Sequence, residues 1–196
     1  MNKKWLLAIV IVVLVVAVVG AGAAYAQGGR GKGNGGAGGG GNGGGGNGNG
    51  LGDGTGLGLS TGLPLTDEAI EALEAGLQDE YHAYATYGAI IDQFGAVAPF
   101  TTIQYSESQH IQALVRIFER YGLDVPEAEP MTVPTFDTLA DACAAGAAAE
   151  IANFDLYDEW LETVSDYPDL VRVFTALRNA SEFNHLPAFE ACAALG

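Results

Sequence analysis

Two short stretches of the sequence each pair a glutamate with a histidine three residues later: Glu107 with His110, and Glu182 with His185. Residues three apart lie on one face of a helix, so each stretch presents a carboxylate and an imidazole together. Before each stretch stands a lone glutamate followed seven residues later by a tyrosine, the two pairs being Glu80 with Tyr87 and Glu150 with Tyr157. The chain therefore repeats one order of acidic and imidazole side chains, which indicates two similar halves.

Four glutamates and two histidines in this order form a donor set for divalent metal ions. If they were buried together without a cation, four carboxylates would repel one another and most would take up protons. Two divalent ions would balance four carboxylates while both imidazoles stay neutral. Carboxylates can bridge two ions and an imidazole can complete each one, which suits iron or manganese. The expected metal ligands are Glu80, Glu107, His110, Glu150, Glu182 and His185.

Five further side chains are expected beside the ligands, where hydrogen bonds would orient them. They are Tyr84, Tyr87, Tyr157, Arg178 and Asn184. Arg178 stands one helical turn before Glu182 and could hold that carboxylate in place. Core packing or helix capping is the competing interpretation for each of the five, and no catalytic residue is expected beyond the metal ligands. His82, two residues after Glu80, points away from the ligand face and is expected on the surface.

Apolar periodicity and capping residues predict four helices within residues 59–196. A threonine hydroxyl caps a helix N-terminus, proline suits a first turn and glycine ends a helix. The predicted helices run from Thr66 to Gly95, from about Pro99 to Tyr121, from about Asp137 to Val164, and from about Pro168 onward. The third could be interrupted at Gly146, and Pro187 should kink the fourth just beyond His185.

The segment between the second and third helices contains Pro126, Pro130 and Pro134, so it cannot be helical. Its extended length of up to about 50 Å exceeds the length of the first helix, which is about 42 Å. This segment can therefore cross the whole molecule. We predict an all-α, antiparallel four-helix bundle with one long crossover between helices 2 and 3.

The two cysteines provide an independent check on this packing. Cys143 lies seven residues before Glu150, and Cys192 lies seven residues after His185. If helices 3 and 4 are antiparallel and meet at the metal, both displacements point the same way by about 10 Å. The thiols should then be neighbours, and in an oxidising compartment they would form a disulfide. Two buried free thiols are the alternative.

The N-terminal part of the sequence indicates an export or anchoring segment followed by a linker. Lys3 and Lys4 precede an apolar run from Trp5 to about Ala24, and Ala24-Tyr25-Ala26 fits a small-x-small cleavage site. The run is also nearly long enough to span a bilayer. We therefore expect residues 1–26 to be a signal peptide or a membrane anchor, and the domain to be extracytoplasmic. Residues 27–58 are dominated by glycine and are expected to be a disordered linker.

The charge of the remaining chain limits its partners. From Leu59 onward there is no lysine, and four arginines stand against 23 acidic residues, which gives a formal charge near −19. Such a surface repels nucleic acid and anionic lipid, so neither is expected as a partner, and membrane contact is expected only through the N-terminal segment. The same charge would concentrate divalent cations near the protein, although solubility alone would also explain it.

From about Leu65 to Ala194 the chain resembles ferritin-like di-iron proteins, and more narrowly the ferritin-like DUF2202 family of uncharacterised bacterial and archaeal proteins. The motifs that carry the resemblance are Glu80-x-x-Ala83-x-x-x-Tyr87, Glu107-x-x-His110, Glu150 with Tyr157, and Glu182-x-x-His185-Leu186 with Phe189. The resemblance implies two iron ions, with manganese as the alternative. It also implies terminal ligands at Glu80 and Glu150, bridging ligands at Glu107 and Glu182, and one histidine for each metal.

The resemblance leads to a functional hypothesis. We expect an extracytoplasmic protein that binds divalent metal ions and oxidises Fe(II) with dioxygen or peroxide. The alternatives are a non-catalytic metal-binding module tethered to the cell surface, a dimanganese catalase-like enzyme, and a metal-free bundle that keeps the pattern as a relic. The sequence leaves the oligomeric state open, with a homodimer as one option.

Overall fold

The computed structural model describes residues 63–195, and its regular structure consists of helices. The expected signal peptide or anchor over residues 1–26 and the expected linker over residues 27–58 lie outside the described residues. Within the described part of the chain, no helix combines the length and the apolar character needed to cross a membrane.

Four helical rods form the domain. The first three are single helices, and the fourth is two α-helices joined by one π-helical turn. Their bounds are α1 Asp67–Phe94, α2 Phe100–Tyr121, α3 Leu139–Thr163, α4 Pro168–Ala180, the π turn Ser181–His185, and α5 Leu186–Ala193. No strand occurs in residues 63–195. The prediction of an all-α four-helix bundle is therefore confirmed.

Capping residues set the helix boundaries. The Thr66 hydroxyl accepts a hydrogen bond from the backbone N–H of Ala69 at 3.2 Å, so α1 begins directly after it. The Thr138 hydroxyl does the same for α3. Gly122 ends α2 with a φ of +67°, in the left-handed region that glycine enters without a steric penalty. Local sequence is thus enough to place these ends.

The crossover between α2 and α3 runs alongside α1 and is held by two glutamines of that helix. Gln78 donates to the carbonyl oxygen of Glu127 and accepts from the backbone N–H of Glu129, both at 2.9 Å. Gln93 makes the same pair of contacts with the backbone of Phe136. The two glutamines are fifteen residues, or about 22 Å, apart on α1. The crossover therefore travels along most of the bundle, so α2 and α3 run in the same direction.

Two apolar clusters fill the ends of the bundle. One includes Leu73, Leu77, Leu114, Phe118, Trp160, Leu170 and Phe174. The other includes Tyr87, Ile90, Phe100, Ile103, Cys143 and Phe189. On every rod the predicted ligands fall between a residue of the first cluster and a residue of the second. The candidate site is thus a polar layer between two packed apolar layers.

Helix α3 continues through Gly146, so the expected interruption there is wrong. A Cβ atom at Gly146 would lie 2.8 Å from a ring carbon of Phe189, which is closer than packed atoms approach. The glycine therefore makes room for the phenyl ring of α5 and does not break its own helix. Next to this contact, Cys143 and Cys192 form a disulfide with their Cα atoms 5.8 Å apart, which confirms the predicted pairing.

The disulfide should contribute strongly to stability. It joins residues 49 positions apart, so the double variant Cys143→Ala/Cys192→Ala should lose about 4 kcal/mol of unfolding free energy, through greater entropy of its unfolded chain. Urea unfolding followed by circular dichroism measures the change, with chemically reduced wild-type protein as the control. Equal midpoints for the oxidised protein and the double variant would contradict the prediction.

Candidate metal centre

Five of the six predicted ligands converge in the polar layer. His110 Nδ1 lies 2.7 Å from Glu107 Oε2 and 3.2 Å from Glu80 Oε2. His185 Nδ1 lies 3.3 Å from Glu107 Oε1 and 3.5 Å from Glu150 Oε1. The three glutamate side chains are at most 5% exposed. The structure therefore brings donors from all four rods to one buried place.

Glu107 occupies the middle of this cluster. Its two carboxylate oxygens face different imidazoles, one towards His110 and the other towards His185. Glu107, His110 and His185 each offer a ligand atom within 4.8 Å of the others. Among residues 63–195 this is the one group of three His, Cys, Asp or Glu side chains with metal-ligand spacing.

Ser106 lies behind both imidazoles. Its hydroxyl oxygen is 3.3 Å from His110 Nε2 and 3.1 Å from His185 Nε2. A hydroxyl oxygen has two lone pairs, so it can accept a hydrogen bond from both Nε2–H groups. With each Nε2 donating to Ser106, each Nδ1 faces the carboxylates and is the atom that would bind a metal once it has lost its proton.

Two tyrosines connect helices α1 and α3 across the site. Tyr87 on α1 donates its hydroxyl to Glu150 Oε1 on α3 at 2.7 Å. Tyr157 on α3 donates to Glu80 Oε1 on α1 at 2.6 Å. The seven-residue spacing seen twice in the sequence therefore produces two reciprocal contacts. Tyr157 leaves Glu80 Oε2 to face His110. The Glu150 oxygen that accepts from Tyr87 is also the one that faces His185.

Glu182 lies at the edge of the site. Its carboxylate forms an ion pair with Arg178, which also binds Asp158 on α3. The Glu182 side chain is 32% exposed, far more than the other three glutamates. The cause is the π turn, because i→i+5 hydrogen bonding widens the turn and rotates residues three apart away from one face. Pro187, two residues after the π turn, lacks the backbone N–H that a regular α-helix would use.

Three other residues lie elsewhere than expected. The Tyr84 residue of α1 is 42% exposed, and the Gln104 side chain donates a hydrogen bond to its carbonyl oxygen. Asn184 is also exposed, since it precedes His185 by one residue and so lies on another face of the turn. His82, expected on the surface, is half-buried, and its Nε2 atom is shielded from solvent.

The electrostatics of the cluster favour protons in the absence of a metal. Burial and the charge of Glu80 raise the pKa of Glu107 well above its usual range. Burial lowers the pKa of His110, but the carboxylates of Glu80 and Glu107 outweigh burial and raise the pKa to about 10. Burial also raises the pKa of Glu80, yet the charge and hydrogen bond of His110 bring that pKa below its ordinary value.

The tyrosine hydroxyls keep their protons. Burial, followed by the charges of the carboxylates, raises the pKa of both Tyr87 and Tyr157 well above the usual range. Both are therefore hydrogen-bond donors at neutral pH. Asp79, next to the cluster, also has a pKa raised well above its usual range, by burial and by the charges of Glu80 and Glu150.

Two buried ligand atoms support the fit to a metal. Glu150 Oε2 and His185 Nδ1 are shielded from solvent and make no hydrogen bond to protein. Buried polar atoms rarely stay unsatisfied, and a cation would satisfy an oxygen and an imidazole nitrogen together. Carboxylate oxygens with imidazole nitrogens are donors that suit iron and manganese. The residues present therefore fit a divalent metal centre.

Solved structures of bacterioferritins share this fold. Desulfovibrio desulfuricans bacterioferritin, described with a diiron site in different catalytic states, superposes with a TM-score of 0.58 at 19% identity, covering 65% of this chain and 78% of that one. Mycobacterium tuberculosis bacterioferritin gives 0.58 at 13% identity, covering 68% and 88%. Rhodobacter capsulatus bacterioferritin, described with a metal-free dinuclear site and haem iron, gives 0.55 at 17% identity, covering 68% and 88%.

The fold is ferritin-like. At these identities the similarity establishes the architecture, and the chemistry has to be argued from the residues of this chain. No protein-family profile and no curated protein matches the sequence. The narrower resemblance to the DUF2202 family therefore stays a prediction.

The sequence pattern did not single out Ser106, Asp79 or Asn153, although all three lie at or beside the cluster. Two features of the sequence could have identified Ser106 and Asp79. Ser106 stands four residues before His110 on the same helical face, and Asp79 stands three residues before His82, which repeats the acid-x-x-His spacing of the ligand stretches. Asn153, three residues after Glu150, is 8% exposed, and its position is evident only from the packing.

Removing the Ser106 hydroxyl should weaken metal binding. Ser106→Ala should lower the affinity for Fe(II) or Mn(II) by about 10- to 100-fold, because both imidazoles lose the partner that holds their tautomer. The matched control is Ser108→Ala on the same helix, where the hydroxyl bonds only to the carbonyl oxygen of Tyr105 and to Gln109. Calorimetric titration with Mn(II) compares the variants. Equal affinities for the two variants would exclude the role assigned to Ser106.

Metal binding should release protons. At pH 7 the metal-free protein holds a proton on His110, whose pKa is about 10, and the raised pKa of Glu107 favours a second. A metal needs both groups deprotonated, so apparent affinity should rise with pH up to about 10. Calorimetry in two buffers of different ionisation enthalpy counts the protons, and His110→Ala should release fewer. A pH-independent affinity between pH 6 and pH 9 would contradict the assignment.

Proposed function

We propose that this domain binds two divalent metal ions, with iron as the native metal, and oxidises Fe(II) with dioxygen or peroxide. The observation that carries the proposal is the division of the buried cluster into two matching halves. One half contains His110 with Glu80, and the other contains His185 with Glu150. Glu107 lies between them and directs one oxygen at each imidazole.

Each half then provides one imidazole nitrogen, one carboxylate of its own and one oxygen of the shared Glu107. This arrangement supports Glu80 and Glu150 as terminal ligands and Glu107 as a bridge. When bound, two iron ions supply two electrons, one from each, for the reduction of dioxygen or peroxide.

The surrounding residues orient the ligands of this site and exclude water from it. Tyr157 and Tyr87 donate hydrogen bonds to Glu80 and Glu150, so they orient the two terminal carboxylates. Ser106 holds both imidazoles with Nδ1 directed at the ligand oxygens. On one side the rings of Tyr87, Phe100 and Phe189 pack together, which keeps bulk water away from the carboxylates. Their contribution is positioning and water exclusion.

Glu182 enters the proposal as a sixth ligand that would exchange its partner Arg178 for a metal. A charge argument supports this exchange. Three buried carboxylates leave two divalent ions with an excess positive charge, and a fourth carboxylate would neutralise it. Arg178 would keep its ion pair with Asp158 after Glu182 leaves.

We also propose that the domain works outside the cytoplasm. The disulfide between Cys143 and Cys192 supports this, because such bonds persist in oxidising compartments and are rare in the cytosol. The apolar N-terminal stretch of the sequence is consistent with export or anchoring.

Aerobic Fe(II) oxidation tests the proposed reaction. The metal-free protein is loaded anaerobically with two equivalents of Fe(II), mixed with air-saturated buffer and followed by Fe(III) absorbance. Wild-type protein should oxidise iron well above the buffer rate. Glu107→Gln should reduce the rate by about 100-fold, since losing a ligand should cost at least as much as losing a ligand's hydrogen-bond partner. Glu119→Gln, an exposed position on the same helix, is the matched control.

The same samples separate the alternatives. Two metals bound per chain without turnover would indicate a non-catalytic binding module. Oxygen release from peroxide by the manganese form would indicate a catalase-like enzyme. A wild-type protein that binds no stoichiometric metal would contradict the proposal.

A further inference from the structure

A cavity of about 240 Å³ lies beside the metal centre, enclosed by α1, α3 and the crossover. Most of its wall is apolar, with Ile90 on α1, Ala145 and Ala149 on α3, and Val133 and Phe136 on the crossover. The crossover wall lies between the two backbone segments that Gln78 and Gln93 hold, so it is anchored on both sides. Thr132, an exposed residue of the lining, marks the side that faces solvent.

One part of the lining is polar, and three of its side chains each contain one atom without a hydrogen-bond partner in the protein. The Oδ1 atom of Asn153, the Oδ2 atom of Asp79 and the Nε2 atom of His82 are shielded from solvent and make no hydrogen bond. All three side chains line the cavity, and rotation about the terminal χ2 bond of each would present the shielded atom to it. Asn153 is 92% buried, as its exposed fraction is 8%. Leaving one such group unsatisfied is costly, so three in one cavity point to a ligand that satisfies them.

The shape and chemistry of the cavity restrict that ligand. A cavity of about 150 Å³ with apolar walls can hold a benzene ring, so this one has room for a single ring with small substituents. The polar end requires a group that can donate to the Asn153 oxygen and also accept, as a hydroxyl does. Metal binding is disfavoured here, since Asp79 and His82 form no group of three ligands with metal spacing among the described residues.

We propose that this cavity binds a single-ring hydroxyaromatic molecule of the phenol class, with its ring against the apolar wall and its hydroxyl at Asn153, Asp79 and His82. This site is separate from the metal ligands and does not depend on the proposed iron chemistry. Tyr87 connects the two, because its ring lines the cavity while its hydroxyl bonds to Glu150. A bound phenol would therefore contact the side chain that orients a ligand of the metal centre.

Calorimetric titration of the full chain, stripped of metal with a chelator, tests the proposal. The probes are 4-methylphenol and 4-methylanisole, which share the methyl-substituted ring, but the second has a methoxy group in place of the hydroxyl and cannot donate a hydrogen bond. Saturable one-to-one binding of 4-methylphenol is expected. We expect 4-methylanisole to bind at least about 10-fold more weakly, because it cannot donate to Asn153.

Two variants identify the site. Asn153→Leu keeps a similar volume and should weaken 4-methylphenol about 10-fold without weakening 4-methylanisole. Ala145→Leu fills the cavity and should abolish binding of both probes. Both variants should unfold cooperatively, and Ala145→Leu should bind Mn(II) like wild type, so a failure here is distinct from a failure of the metal proposal. Absence of saturable 4-methylphenol binding, equal affinity for the two probes, or unchanged binding in Ala145→Leu would each overturn the proposal and leave a cavity filled by water only.

Discussion

A single carboxylate placed between two imidazoles, in the middle of an apolar bundle, is the contact on which the rest of this structure depends. Glu107 brings charge to a position where burial alone would force it to take up a proton. Glu80 and Glu150 bring two more carboxylates to the same place. The protein must balance this charge with protons or with cations. The raised pKa of His110 indicates that protons balance it when no metal is bound. A pair of divalent ions balances the same charge without protons.

The fold can hold this charge because the polar layer lies between two packed apolar clusters. The tyrosine contacts between α1 and α3 are reciprocal, so each of these helices positions the terminal carboxylate of the other. Beyond this layer, Gly146 lets Phe189 pack closely against α3, and the disulfide fixes the same end of the bundle. The rigidity of the site is therefore a property of side-chain packing across the rods.

Much of this architecture could be predicted from local sequence. Thr66 and Gly122 mark helix ends through capping physics, the prolines exclude a helix from the crossover, and the two cysteines fix the register of the third and fourth rods. The position of Glu182 could not be predicted, since its Glu-x-x-His spacing assumes α-helical geometry that the π turn replaces. The contact of Ser106 with His185 and the position of Asn153 in the cavity could not be predicted either, because both depend on packing between helices that are distant in sequence.

The number and separation of bound metal ions test the central claim most directly. Anomalous diffraction from crystals of the manganese- or iron-loaded protein should show two ions about 3.5–4 Å apart, one beside His110 and one beside His185, with Glu107 between them. A single ion, or metal found only on exposed carboxylates of the acidic surface, would contradict the account.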